Sequence, residues 1–210
     1  MELWNLVFKG GLIMVPILLS GALTLGISIE RLISFRNAEI DNEKFIKEIE
    51  ERLKRRKIKE SLDLCDENNK PVPRIIKAGL LKSDRSREEI KETIDDAAGH
   101  EIPNLEKYLG ILATIATIAP LLGLLGTVTG LIKAFMVIEA KAGLVNPGEL
   151  AGGIWEALVT TVAGLIVAIP AYLAYNYFVS RVNNIVLQME KSATKLIDIL
   201  FLLKTEEDEA

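Results

Sequence analysis

Residues Leu150 to Ser180 read LAGGIWEALVTTVAGLIVAIPAYLAYNYFVS, and Glu156 is their only Asp, Glu, Lys, Arg or His. At 1.5 Å of rise per residue, a helix of this length crosses the roughly 30 Å hydrocarbon core of a bilayer. A carboxylate at membrane depth costs roughly 2.5–3.5 kcal/mol on insertion scales. A chain that keeps one there is a candidate for moving protons or cations, or for gripping a buried partner.

Two further runs are free of charge, Gly10 to Ile29 and Tyr108 to Ile132. Each has the length and composition of a membrane span, so the sequence predicts three transmembrane helices. The first run is expected to be retained: its leader carries Glu2 and a single Lys9, unlike a signal peptide. The 210 residues carry a net charge of −4 with acids and bases interleaved, which argues against nucleic-acid binding. One cysteine, Cys65, excludes an internal disulfide, and one histidine, His100, argues against a histidine metal site. No phosphate loop, metal-ligand cluster or histidine triad suggests an enzyme or a cofactor.

Lysines and arginines concentrate between the first two runs and after the third. Arg31, Arg36, Lys54, Arg55, Arg56 and Arg181 mark that side, against Lys9, Lys133 and Lys141 on the other. The positive-inside rule then places the N-terminus outside and the C-terminus in the cytoplasm. The expected organisation is a short outer segment 1–9, a first span 10–36, a helical cytoplasmic domain 37–106 and a second span 107–138. An outer loop 139–148, a third span 149–180 and a cytoplasmic helix with an acidic tail, 181–210, complete it.

The cytoplasmic part reads as helical. Ile46, Ile49 and Leu53 keep helical spacing, Pro71 and Pro73 interrupt it, and Ile75, Ile76, Leu80 and Leu81 resume it. Ser86 with Glu89 fits a capping box. The helix it opens is expected to run on into the second span, bent near Pro103. After the third span Val182, Ile185, Val186, Met189, Leu196 and Leu200 form a further apolar stripe.

The second span has a face of small residues: Ala113, Ala116, Pro120, Gly123, Thr127, Gly130 and Ala134. Gly126 and Gly130 match the small-xxx-small pattern of closely packed helices. Leu112, Leu122, Leu125 and Ile132 are expected to lie off that face. On the third span, with Glu156 at zero and about 100° per residue, Thr160 falls near 40°, Gly153 near 60°, Gly164 near 80° and Thr161 near 140°. Glu156 thus sits in a strip of small and hydroxylated residues that can line a cavity shared with the second span, with Thr127 across it. Glu156 is also close to the start of its span, so an interfacial carboxylate is the alternative. Three spans are few to enclose a path, which points to a homo-oligomer.

The runs Ala119-Pro120-Leu121-Leu122-Gly123-Leu124-Leu125-Gly126-Thr127-Val128 and Gly153-Ile154-Trp155-Glu156-Ala157-Leu158-Val159-Thr160-Thr161, with Ala168-Ile169-Pro170-Ala171, resemble the ExbB/TolQ/MotA family of proton-channel proteins. Lys70 to Leu81 is similar to the family's cytoplasmic domain. Three spans with one large loop match ExbB and TolQ; MotA-type proteins carry four. The compact length and the Gly-Leu-Leu-Gly-Thr run favour an ExbB-like role over a TolQ-like one.

The resemblance implies a multi-pass protein of the bacterial inner membrane, pentameric around an ExbD-like or TolR-like partner that supplies the main proton-accepting aspartate. It implies a proton-driven motor coupled to a TonB-like or TolA-like protein, in the ExbB case for outer-membrane import. The family's polar pore residues carry over as Thr127, Glu156 and Thr161, while helix geometry puts Thr160 nearer to Glu156. A purely structural membrane scaffold is the competing class.

Overall fold

The structure is a computed structural model that describes residues 10–141 and 146–208. The expected outer segment 1–9, residues 142–145 of the outer loop and the last two residues of the acidic tail lie outside the described residues. The described residues form seven helices joined by short turns, with no strand among them. The helices are α1 Met14–Ala38, α2 Asn42–Lys54, α3 Ile58–Glu67, α4 Pro71–Leu80, α5 Arg87–Leu105, α6 Leu109–Ala140 and α7 Pro147–Asp208. Of these, α1, α6 and α7 are long and apolar enough to cross a membrane. The all-helical class and the three spans agree with the sequence.

The chain divides into two compact units. The first comprises the described parts of 1–31 and 108–178. It contains the starts of α1 and α7 and the whole of α6. Its outward surface is apolar: Leu19 and Leu25 on α1, Leu121 and Leu124 on α6, and Leu165 and Ile169 on α7 are all exposed. Such a surface is stable against lipid, which makes no demand for polar groups, and a helix satisfies its own backbone. Arg31 closes this unit. Its guanidinium is buried, bonds both carboxylate oxygens of Glu30 at 2.5 and 2.6 Å, and lies 5.6 Å from the centre of the Tyr108 ring.

The second unit comprises 32–107 and 179–210. Asp41 caps α2 by accepting from the Lys44 N–H, and the face Phe45, Ile46, Ile49 and Leu53 is buried. Arg56, at φ 59°, turns the chain into α3. Pro71 opens α4 at its first turn, where no N–H partner is lost. The expected capping box is present: the Ser86 hydroxyl accepts from the Glu89 N–H, and the Ser86 N–H donates to the Glu89 carboxylate.

Gly79 of α4 is where α4, α5 and α7 meet. A Cβ there would stand 2.7 Å from Ile94 and 2.9 Å from Leu196. The stripe Val182, Ile185, Met189, Leu196 and Leu200 of α7 is buried, and ion pairs Arg74–Glu101, Arg87–Asp198 and Arg181–Glu39 fasten the outside.

Three local expectations change. The helix opened by Ser86 does not run into the second span. Pro103 lies inside α5, and the chain breaks at Tyr108, whose left-handed φ of 67° ends the hydrogen-bond ladder before α6 begins. Leu81 is exposed, because α4 ends at Leu80 and the next residue turns outward. Leu112 is fully buried rather than off the packed face of α6, because the buried stripe there runs through Leu112, Ile115 and Ala119.

Cys65 is buried between charged neighbours. Burial, with Asp66 beside it, pushes its thiol up to about 12. A thiol so protonated reacts slowly. We expect Cys65 in the folded protein to resist iodoacetamide at pH 8 and to be alkylated at least tenfold faster in denaturant, as followed by mass spectrometry. Rapid labelling of the folded protein would contradict the buried placement.

Candidate functional site

Within the first unit α6 and α7 run antiparallel, and their register is written in residues without bulk. Ala119 lies opposite Gly164, Gly123 opposite Thr160 and Thr161, and Gly130 opposite Gly153. A Cβ on Gly130 would stand 2.6 Å from the Gly153 carbonyl oxygen, and one on Gly164 would stand 2.5 Å from the Ala119 carbonyl oxygen. Backbone therefore meets backbone, and any side chain at these points would push the helices apart. Ile115, Ala119, Ala168 and Ala171 continue the contact as a buried cluster, with Ala116 and Val167 packed on it.

The contact line on α6 is Leu112, Ile115, Ala119, Gly123, Gly126, Gly130 and Ala134. It is rotated slightly from the small face read in the sequence. Ala113, Ala116, Pro120 and Thr127 stand beside it, half-buried.

Thr127 and Thr161 meet at the edge of this line. Their hydroxyl oxygens are 2.5 Å apart. Each hydroxyl also lies within reach of the Gly123 carbonyl on α6 and the Ala157 carbonyl on α7, at 3.2 to 3.3 Å. Two hydroxyl protons thus face two carbonyls and each other. If Thr127 donates to Thr161, Thr161 donates to a carbonyl; rotating both hydroxyls reverses the order. A hydroxyl that accepts on one side and donates on the other can pass a proton or orient a water.

Thr160 is placed differently. It is fully buried, its hydroxyl donates back to the carbonyls of Glu156 and Ala157, and it fills the space left by Gly126. A Cβ on Gly126 would collide with the Thr160 hydroxyl. Thr161, near 140° from Glu156 on the helical wheel at about 100° per residue, reaches Thr127 within a continuous α-helix. Angles measured from Glu156 describe α7 alone; α6 packs along Gly153, Ala157, Thr160 and Gly164, with Thr161 at the edge of that line.

Glu156 lies nine residues inside α7, about 13.5 Å along its axis. Its side chain is 18% exposed, and its Oε1 accepts from Lys133 Nζ at 2.5 Å. The turn at Gly11, where φ is +64°, also lies against the carboxylate, and an added Cβ there would overlap the same oxygen. Thr127 is therefore not its partner; Lys133 is.

Sequence reasoning used Lys133 only for topology. The signal that finds it is geometric. Side chains on a helix tilt toward its N-terminus. In an antiparallel pair, Lys133 leans toward the level of Gly130 and Glu156 toward the level of Gly153, which is the same level.

Residues 67–191 match the model of the MotA/TolQ/ExbB proton channel family. The chain is 31% identical over 176 residues to the putative biopolymer transport protein ExbB-like 3 of Synechocystis, covering 80% of this chain and 81% of that protein. It is 44% identical to the biopolymer transport protein ExbB of Aquifex aeolicus over 41% of this chain and 57% of that one. It is 46% identical to the Tol-Pal system protein TolQ of Haemophilus influenzae over 42% of this chain and 39% of that one.

The glycine contacts give a stability prediction. Gly130→Leu adds a side chain where the Gly153 carbonyl already sits, and overpacking of this kind costs about 1–3 kcal/mol. Thermal unfolding in detergent should show a lower midpoint for this variant, with Gly152→Ala, whose Cβ meets open space, unchanged.

Proposed function

The chain belongs to the MotA/TolQ/ExbB proton channel family, and from that premise we propose that it is an ExbB-like subunit of an inner-membrane proton motor that energises a TonB-type protein. In this reading five copies surround the membrane helices of an ExbD-like partner, with α6 and α7 facing the axis. The N-terminus is outside, and the second unit stands in the cytoplasm. Thr127, Thr161 and Glu156 line the proton path, and Thr160 holds the helices in register beneath them. The charge distribution along the chain supports this orientation.

The observation that carries the reading is the Thr127–Thr161 hydroxyl pair set between the Gly123 and Ala157 carbonyls. Threonine hydroxyls also join packed membrane helices, but an ionisable residue inside a span marks an ion path, and Glu156 stands five residues from Thr161 on the same helix. The half-buried flank Ala113, Ala116, Pro120 and Thr127 gives further support, because small side chains leave room for a neighbour. A potential of 100 mV supplies about 2.3 kcal/mol per proton, enough to do work only when several protons pass or one passes against little resistance. The 46% identity to a TolQ protein favours a second reading, in which the same motor drives a TolA-like protein of the envelope.

The test is proton flux into vesicles holding the chain with its ExbD-like or TolR-like partner. Thr127→Val and Glu156→Gln should each lower flux at least tenfold while the assembly elutes unchanged on gel filtration. Full flux in both variants would leave a structural scaffold as the better account.

A further inference from the structure

Lys133 is charged, stands on one of the two helices of the candidate path, and its ammonium contacts Glu156 directly. We propose that Lys133 is the positioning residue for Glu156, fixing its carboxylate at the level of Gly130 and Gly153. The inference rests on the proton-path reading above and adds to it a residue that reads in the sequence only as a topology marker.

Three observations bear on it. The two side chains are unequal: Lys133 is 57% exposed and Glu156 only 18% exposed. The lysine is thus the mobile member and the carboxylate the held one. The carboxylate also lies against the Gly11 turn, and among the described residues Lys133 is the cation bonded to it, so losing the ammonium removes that charge partner from a carboxylate held against backbone. The geometry of the antiparallel contact also explains why a residue as long as lysine is needed. Lys133 lies about one helical turn beyond Gly130, and Glu156 about one turn from Gly153, so only long side chains leaning toward their N-termini meet.

The Cα of Glu156 is five residues, or about 7.5 Å of helix rise, from that of Thr161. The carboxylate leans away from the hydroxyl pair toward Lys133. Lys133 therefore sets where along α6 and α7 the acidic group stands relative to the hydroxyls. Lys133 itself takes no proton from the path in this account.

The experiment uses the same vesicles, holding the full chain and its partner. Lys133→Gln should lower proton flux at least fivefold, and Lys133→Arg, which keeps the charge and the reach, should retain at least half of it. Rescue by arginine separates positioning from general damage, since the bulkier guanidinium would worsen a packing defect. Glu156→Gln is run beside them. Full flux in Glu156→Gln removes the proton-path reading and this inference with it. Loss in Glu156→Gln with full flux in Lys133→Gln overturns this inference alone, as does equal loss in Lys133→Gln and Lys133→Arg.

If Lys133→Gln fails to assemble, the unmutated complex decides. A water-soluble carbodiimide should join the Lys133 amine to the Glu156 carboxyl as an amide, seen by mass spectrometry as one cross-linked peptide that has lost a water. Absence of that peptide under conditions that cross-link Lys77 to Asp66, a pair at the surface of the second unit, overturns the placement.

Discussion

Backbone against backbone between α6 and α7 is the constraint on which the first unit depends. Gly130 against Gly153, and Gly164 against the Ala119 carbonyl, leave no space for a Cβ on either helix. In a bilayer there is no hydrophobic drive to pull two apolar helices together, so close van der Waals contact has to do it. That contact also fixes the register. With Gly130 level with Gly153, the Thr127 and Thr161 hydroxyls, each leaning toward its own N-terminus, meet between the Gly123 and Ala157 carbonyls, and Lys133 and Glu156 lean to one height. A shift by one turn would separate both pairs at once.

The register divides the polar residues by task. Thr160 turns its hydroxyl back onto its own helix and packs on Gly126. Thr127 and Thr161 face each other at the edge, half-open, and share two carbonyls. Glu156 is paired with a cation rather than with the hydroxyls. The second unit uses different physics. Amphipathic helices, a capping box and cross-helix ion pairs hold it, as suits a body in water, and its thiol is shut in protonated.

Much of this was legible in the chain. Charge-free runs bounded by Arg31, Lys133 and Arg181 give three spans, because burial in lipid forbids charge over about twenty residues. Ser86 and Glu89 announce a cap through spacing alone. The break at Tyr108 was not legible: no glycine stands at its left-handed turn, and the buried Arg31 that lies over its ring comes from a different helix, α1. Thr161 was singled out only through resemblance, and its meeting with Thr127 was not legible. A helical wheel gives directions on one helix, while the pairing depends on which direction the second helix takes. Lys133 escaped for the same reason. Its partner is 23 residues away on another helix, and only the glycine register brings the two together.

The central claim is that the Thr127 and Thr161 hydroxyls act as one element of a proton path. A double-mutant cycle on proton flux tests it most directly. Thr127→Val, Thr161→Val and the double variant are compared with the unmutated chain in vesicles containing its partner. A single relay predicts that the double variant loses no more flux than the worse single one, since either valine breaks the same bond. Losses that multiply, as for two independent groups, would contradict it.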